Sequence, residues 1–197
     1  MKKLSLYILA LLVFQMLLSA VFPIKTQQEL NKEALGYCKS NGMNTDFYVL
    51  IDMRIHSGKN RLFMINPGTN EVLAKGLCSH GCCDSAWADD QSRSNPVFSN
   101  ESGSHCTSLG KYKVGKRGWS NWGINVNYKL HGLEESNSNA YERQIVLHSW
   151  SDIPDYELYP LGTPEGWGCP AVSDNVMRQI DAKLKASVKP VLMWVYK

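Results

Sequence analysis

A mostly β domain with two short helices is what this sequence predicts, and three observations predict it. Runs of β-forming residues recur between turn-forming clusters from Phe47 to Leu77. Ile124, Val126, Tyr128 and Leu130 alternate with polar neighbours, the pattern of a strand with one buried face. Only the stretches Thr26 to Ser40 and Asp174 to Lys185 carry apolar residues at helical spacing.

Lys2 and Lys3 open the chain ahead of an apolar run from Leu4 to Phe22, broken by Ser5, Gln15 and Ser19. A charged start followed by an apolar stretch is the pattern of a secretory signal. The run is also close to the length that spans a bilayer. Residues 1–22 are therefore expected to be a signal peptide or an N-terminal membrane anchor. Either puts the rest of the chain in the periplasm or cell envelope. Residues 23–45 follow as a helical extension, with Leu30, Ala34 and Leu35 among charged neighbours and a stop at Asn41-Gly42. Residues 46–197 then form the main domain.

Within that domain, Phe47 to Ile55 is rich in β-formers. Ser57 to Asn60 reads as a turn and Arg61 to Ile65 as the returning strand of a hairpin. Asn66-Pro67-Gly68 makes a second turn, before a strand from Glu71 to Leu77. The stretch from Ser79 to Ser108 is rich in Ser, Asn, Gly, Asp and Cys and reads as loop, and a loop that long is usually functional. Strands resume at Lys111 to Val114, at Ile124 to Leu130, and at Gln144 to His148, which ends on a histidine. Ser173 caps a helix opened by Asp174, with Val176, Met177, Ile180 and Leu184 on one stripe. Val191 to Tyr196 closes the chain as a buried strand.

With 44% hydrophobic and 20% charged residues, the chain is globular. Its net charge of +3 comes from scattered lysines with no like-charge block, so no nucleic-acid partner is expected. A weakly basic balance suits an anionic cell-wall polymer and equally suits plain solubility.

Six cysteines need sorting. Cys38, Cys78, Cys82, Cys83 and Cys106 lie in the first part of the chain, where export favours one or two disulfides of unassigned pairing. Cys169 stands apart in Gly166-Trp167-Gly168-Cys169-Pro170. Flanking glycines let backbone approach a ligand and leave amide N–H groups open for an oxyanion. A free thiol near pKa ~8.5 needs a base to become a thiolate at neutral pH. His148, at a strand end, can serve as one, so Cys169 and His148 are a candidate nucleophile–base pair. The bland alternatives are a structural or disulfide-bonded cysteine and a core histidine.

Arg143 to Ser149, followed by Gly166-Trp167-Gly168-Cys169-Pro170-Ala171-Val172, resembles the catalytic signature of the L,D-transpeptidases (the YkuD-like fold). Further matches are Ser79-His80-Gly81, Phe98-Ser99-Asn100, Gly103-Ser104, Ser108-Leu109-Gly110, Leu133-Glu134 and Asn137 to Ala140, so the resemblance runs from about Phe47 to the end. It implies a β-sandwich or barrel-like catalytic fold acting on peptidoglycan stem peptides, as a monomer and without cofactor or metal. Cys169 would attack the peptide bond after the diamino acid of a tetrapeptide, with His148 as base and then acid. Backbone N–H groups at Gly168 and Cys169 would hold the oxyanion. A side-chain amine of a second stem would resolve the thioester into a cross-link, and water would give a carboxypeptidase instead. A cell-wall binding module of the same fold is the non-enzymatic alternative.

The resemblance also places His80, Ser149 and Trp167 along the substrate groove. The chain departs from the family in having Trp167 where many members have His. It also has Ala171 and Val172 where many have Arg, which leaves Arg143 as the substitute for carboxylate recognition. Finally, Cys78, His80, Cys82, Cys83, His105 and Cys106 form a cluster that could bind zinc, although its spacing fits no common framework and disulfide formation ranks first.

Overall fold

The structure is a computed structural model that describes residues 25–83 and 95–197. The expected signal peptide or anchor, and the middle of the long loop, lie outside the described residues. Two compact units are distinguished, Met1–Glu33 and Ala34–Lys197. Thr26 opens helix α1 (Gln27–Ser40) through a reciprocal capping box. The Thr26 amide donates to Glu29 Oε2 at 2.8 Å, and the Glu29 amide donates to Thr26 Oγ1 at 3.3 Å. The helix stops where the sequence predicts, with Gly42 at φ +64° and the Met43 amide donating to the Cys38 carbonyl at 2.9 Å. Among the described residues, no helix is long and apolar enough to cross a membrane.

The second unit is built on eight strands: β1 (Tyr48–Asp52), β2 (Leu62–Asn66), β3 (Glu71–Gly76), β4 (Gly110–Trp119), β5 (Val126–Gly132), β6 (Val146–Ser149), β7 (Ala171–Val172) and β8 (Val191–Tyr196). They form one sheet in the order β3-β2-β1-β8-β4-β5-β6-β7, antiparallel except for β1 with β8 and β6 with β7. Helix α2 (Asp174–Ala186) starts as expected, with Ser173 Oγ accepting from the Val176 amide at 3.2 Å. Its stripe of Val176, Met177 and Ile180 joins Val49, Ile51, Leu130, Leu147 and Met193 in one buried core. The period-two reading of β5 is explained by this packing, since Val126, Tyr128 and Leu130 face the core.

The two edges of the sheet nearly meet. Just beyond β3, the Ser79 amide donates to the Ala171 carbonyl at 2.8 Å, and Ser79 Oγ accepts from the Ala171 amide at 3.1 Å. Serine here replaces a missing stretch of strand pairing and makes the sheet barrel-like, as the sequence resemblance implied.

Four elements differ most from expectation. Strand β4 continues past Val114 to Trp119, because backbone pairing with β5 persists across a register shift between Val114 and Arg117. Strand β6 starts at Val146, because Gln144 has φ +57°. Strand β7 and a short 3-10 turn at Glu135–Asn137 were not expected. That turn is held by Glu134 and Asn137 capping each other's amides.

Candidate active site

Strand β6 carries His148 alongside β7, where it pairs with Ala171, and the His148 amide donates to the Pro170 carbonyl at 3.3 Å. That register places His148 and Cys169 on the wall of one cavity of about 340 Å³, together with Trp122, Trp150 and Trp167.

The loop leading to Cys169 is clamped from both sides. On one side, Gly166 exchanges backbone hydrogen bonds with His80 (2.9 Å) and Cys82 (2.8 Å). On the other, Thr107 Oγ1 donates to the Gly168 carbonyl at 3.2 Å. A disulfide between Cys83 and Cys106 ties these two clamping segments together. Gly168 has φ +93°, and a Cβ there would lie 2.5 Å from the Cys106 carbonyl oxygen. Both the turn and the close approach require glycine. Among the described residues, the amides of Gly168 and Cys169 donate to no acceptor, whereas both carbonyls are engaged, that of Cys169 by Ser79 Oγ at 3.4 Å. The two N–H groups thus remain open to a ligand.

The Cys169 sulfur accepts from the Val146 amide at 3.4 Å. Burial pushes the thiol above its ordinary pKa, against the pull of that amide, Lys129 and Arg143. Burial likewise holds His148 below the usual histidine value, against its contact with Ser149. His148 Nδ1 lies 2.9 Å from the Ser149 carbonyl oxygen. A carbonyl only accepts, so Nδ1 carries the proton and Nε2 of the neutral ring presents a lone pair. Burial thus disfavours the charged form of each group.

Two more cavities are lined by Cys169. One of about 430 Å³ is lined by His105, Glu142, Arg143 and Trp167. The other, of about 260 Å³, is lined by Trp119, Trp122, Asn127, Lys129 and His148. Trp167 is 57% exposed and its ring stacks on His105 at 4.7 Å between centroids, so it borders two of the three.

Other sequence-predicted site residues have different surroundings. His80 has no exposed surface and lies outside the cavity linings. Arg61 Nη2 donates to its Nδ1 at 2.8 Å, and its Nε2 faces Glu165 Oε1 at 3.5 Å. Arg61 is itself buried, and burial lowers its pKa to about 10. The structure thus places His80, expected on the groove, in the interior between Arg61 and Glu165, with its carbonyl accepting from the Gly166 amide. Ser149 is buried too, with its hydroxyl accepting from the Ile124 amide at 2.9 Å, and it meets the site only through its carbonyl. Arg143 lines a cavity, but its guanidinium already donates to the Ser99 and Cys106 carbonyls and to Ser104 Oγ and Ser108 Oγ.

Of the five cysteines in the first part of the chain, Cys83 and Cys106 pair, Cys38 and Cys78 are buried free thiols, and Cys82 is buried. Among the described residues no group of His, Cys, Asp or Glu could hold a metal ion, so the zinc alternative finds no site there. Sequence reasoning overlooked Lys129, Ser79 and the Val146 amide. For Lys129 a signal existed: it lies on the polar face of β5 together with Asn127, the residue that pairs with His148.

A model of the L,D-transpeptidase catalytic domain family (YkuD_2) matches residues 23–194. No curated protein matches the chain. Among solved structures, the Xylanimonas cellulosilytica L,D-transpeptidase is similar at 15% identity and TM-score 0.42, covering 82% of this chain and 68% of that one. A Cys-to-Ser mutant of the Enterococcus faecium L,D-transpeptidase shows 12% identity and TM-score 0.46, covering 77% and 50%. The helical cell shape determining protein Pgp2 of Campylobacter jejuni shows 13% identity and TM-score 0.46, covering 85% and 55%. The chain spans about half the length of the last two.

Proposed function

Since the chain belongs to the L,D-transpeptidase catalytic domain family, we propose that it is a cysteine acyltransferase of peptidoglycan stem peptides, exported to the cell envelope. The observation that carries this reading is the cavity lined by both Cys169 and His148, with His148 Nδ1 lying 2.9 Å from the Ser149 carbonyl oxygen. The Cys83–Cys106 disulfide supports an oxidising compartment.

The thiol is neutral at rest, so the proton leaves as the bond forms. Cys169 Sγ attacks the carbonyl carbon after the diamino acid, while His148 Nε2 takes the thiol proton. The oxyanion rests on the open amides of Gly168 and Cys169. As the intermediate collapses, the C–N bond breaks and the imidazolium returns its proton to the departing amine of D-alanine. An amine of a second stem then attacks the thioester, transfers its proton to His148, and leaves a new amide with the thiol restored. Water in place of that amine gives a free tripeptide.

Mass spectrometry of the full chain with a tetrapeptide stem tests the reading. An acyl adduct on wild type that is missing from Cys169→Ala is expected, together with cross-linked dimers. Free tripeptide alone makes it a carboxypeptidase, and no adduct at all makes it a binding module.

A further inference from the structure

Deepening that reading, we infer that Lys129 is the residue that recognises a substrate carboxylate next to the scissile bond. Three observations converge on it. Lys129 lines the cavity of about 260 Å³ that opens onto Cys169 and His148. No acidic side chain lines that cavity among the described residues; its other polar walls are Ser120, Asn121, Asn127 and Gln144. The Lys129 ammonium, half-buried on β5, has no ion-pair or hydrogen-bond partner among the described residues.

The rival cation is already used. Arg143 donates to four acceptors at 2.6 to 3.3 Å and shares its cavity with Glu142, so a carboxylate arriving there meets a committed guanidinium and a negative neighbour. Among the described residues, the cavity of about 340 Å³ offers aromatic walls and no charged side chain beyond what His148 can take up. Lys129 therefore faces the nucleophile as an unneutralised positive charge among amides and hydroxyls. A carboxylate fills that surrounding best, because charge-assisted hydrogen bonds to an ammonium are stronger than neutral ones. Trp119 and Trp122, both exposed, flank the opening and would shield the pair from water.

In a tetrapeptide stem whose third residue is a diamino diacid, two carboxylates lie next to the scissile bond, the C-terminal one of the leaving residue and the second one of the diamino diacid. Calorimetric binding on the full chain carrying Cys169→Ala separates them, with the free peptide and with each carboxylate amidated in turn. Lys129→Met should weaken the free peptide by about tenfold, with an unchanged melting temperature. Lys129→Arg should retain binding. One amidation should weaken binding to the Lys129 protein and do nothing further in Lys129→Met, and that amidation names the carboxylate. An unchanged dissociation constant in Lys129→Met, or an equal loss for all three peptides, overturns the inference. Turnover by the protein with Cys169 intact separates the two readings. Cys169-dependent product with a KM indifferent to Lys129→Met sinks the lysine alone. Lys129-dependent binding with no Cys169-dependent product sinks the acyltransferase and leaves the lysine standing.

Discussion

At the scale of single residues, burial disfavours the charged forms of both Cys169 and His148. His148→Ala should lose nearly all turnover and keep its melting temperature, because the ring touches solvent and cavity rather than filling the core; a retained rate removes His148 as base. Since burial lowers the His148 pKa, the base stays unprotonated below the ordinary histidine value, so acylation should hold its rate to below about pH 6.5. Burial raises the Cys169 pKa, so alkylation by iodoacetamide should still be climbing at the ordinary thiol value and beyond. A plateau at acid pH would reveal a preformed thiolate–imidazolium pair and contradict this account. Cys169 and His148 were legible as candidates because thiol and imidazole are side-chain groups set in a compact motif, and the structure places both on one cavity wall. The orienting role of Ser149 was not, because a main-chain carbonyl does that work. His80 matched a motif by letter, but only packing shows that it lies beneath the loop, held by Arg61.

Whole elements were legible where an apolar period marked them. Strand β8 and helix α2 fall at the residues the sequence predicts, because both bury most of their apolar side chains. The far half of β4, Gly115 to Trp119, has no such period and pairs through backbone alone, so sequence offered no trace of it. Strand β7 is two residues held by Ser79 and β6, below any pattern's length. The glycine loop shows what the elements combine to make. Gly168→Ala should cost about 1–3 kcal/mol of stability and at least tenfold in turnover. The added methyl would strain φ +93° and push on the Cys106 carbonyl. Thermal melts and acylation rates check both, and an alanine variant with wild-type turnover would show that the loop is not so tightly held.

Over the whole molecule, one carboxylate ties helix to sheet. Asp181 on α2 accepts from Arg117 of β4 and Tyr128 of β5, both at 2.7 Å, and pairs with Lys185 at 3.2 Å. Burial opposes its ionisation, but the hydrogen bonds from Arg117, Tyr128 and Lys185 outweigh that and hold its pKa down to about 2. A depressed folded pKa stabilises above the unfolded value near ~4 and loses that stabilisation as pH falls toward the folded one. Because Arg117 is 44% exposed, solvent screening keeps its share of the effect small. Chemical denaturation of wild type and Asp181→Asn should therefore differ at pH 6 and converge as the pH falls from about 4 toward about 2. A gap that stays constant over that range would assign the stability to packing instead.

The three cavities that converge on Cys169 also bear on inhibitor design. A compound that bonds to the sulfur can branch three ways: toward a tryptophan-lined hollow, toward a basic recess at Lys129, and toward the mixed walls of Arg143 and Glu142. Because the directions differ in chemical character, each branch can be optimised separately while the reactive group stays the same.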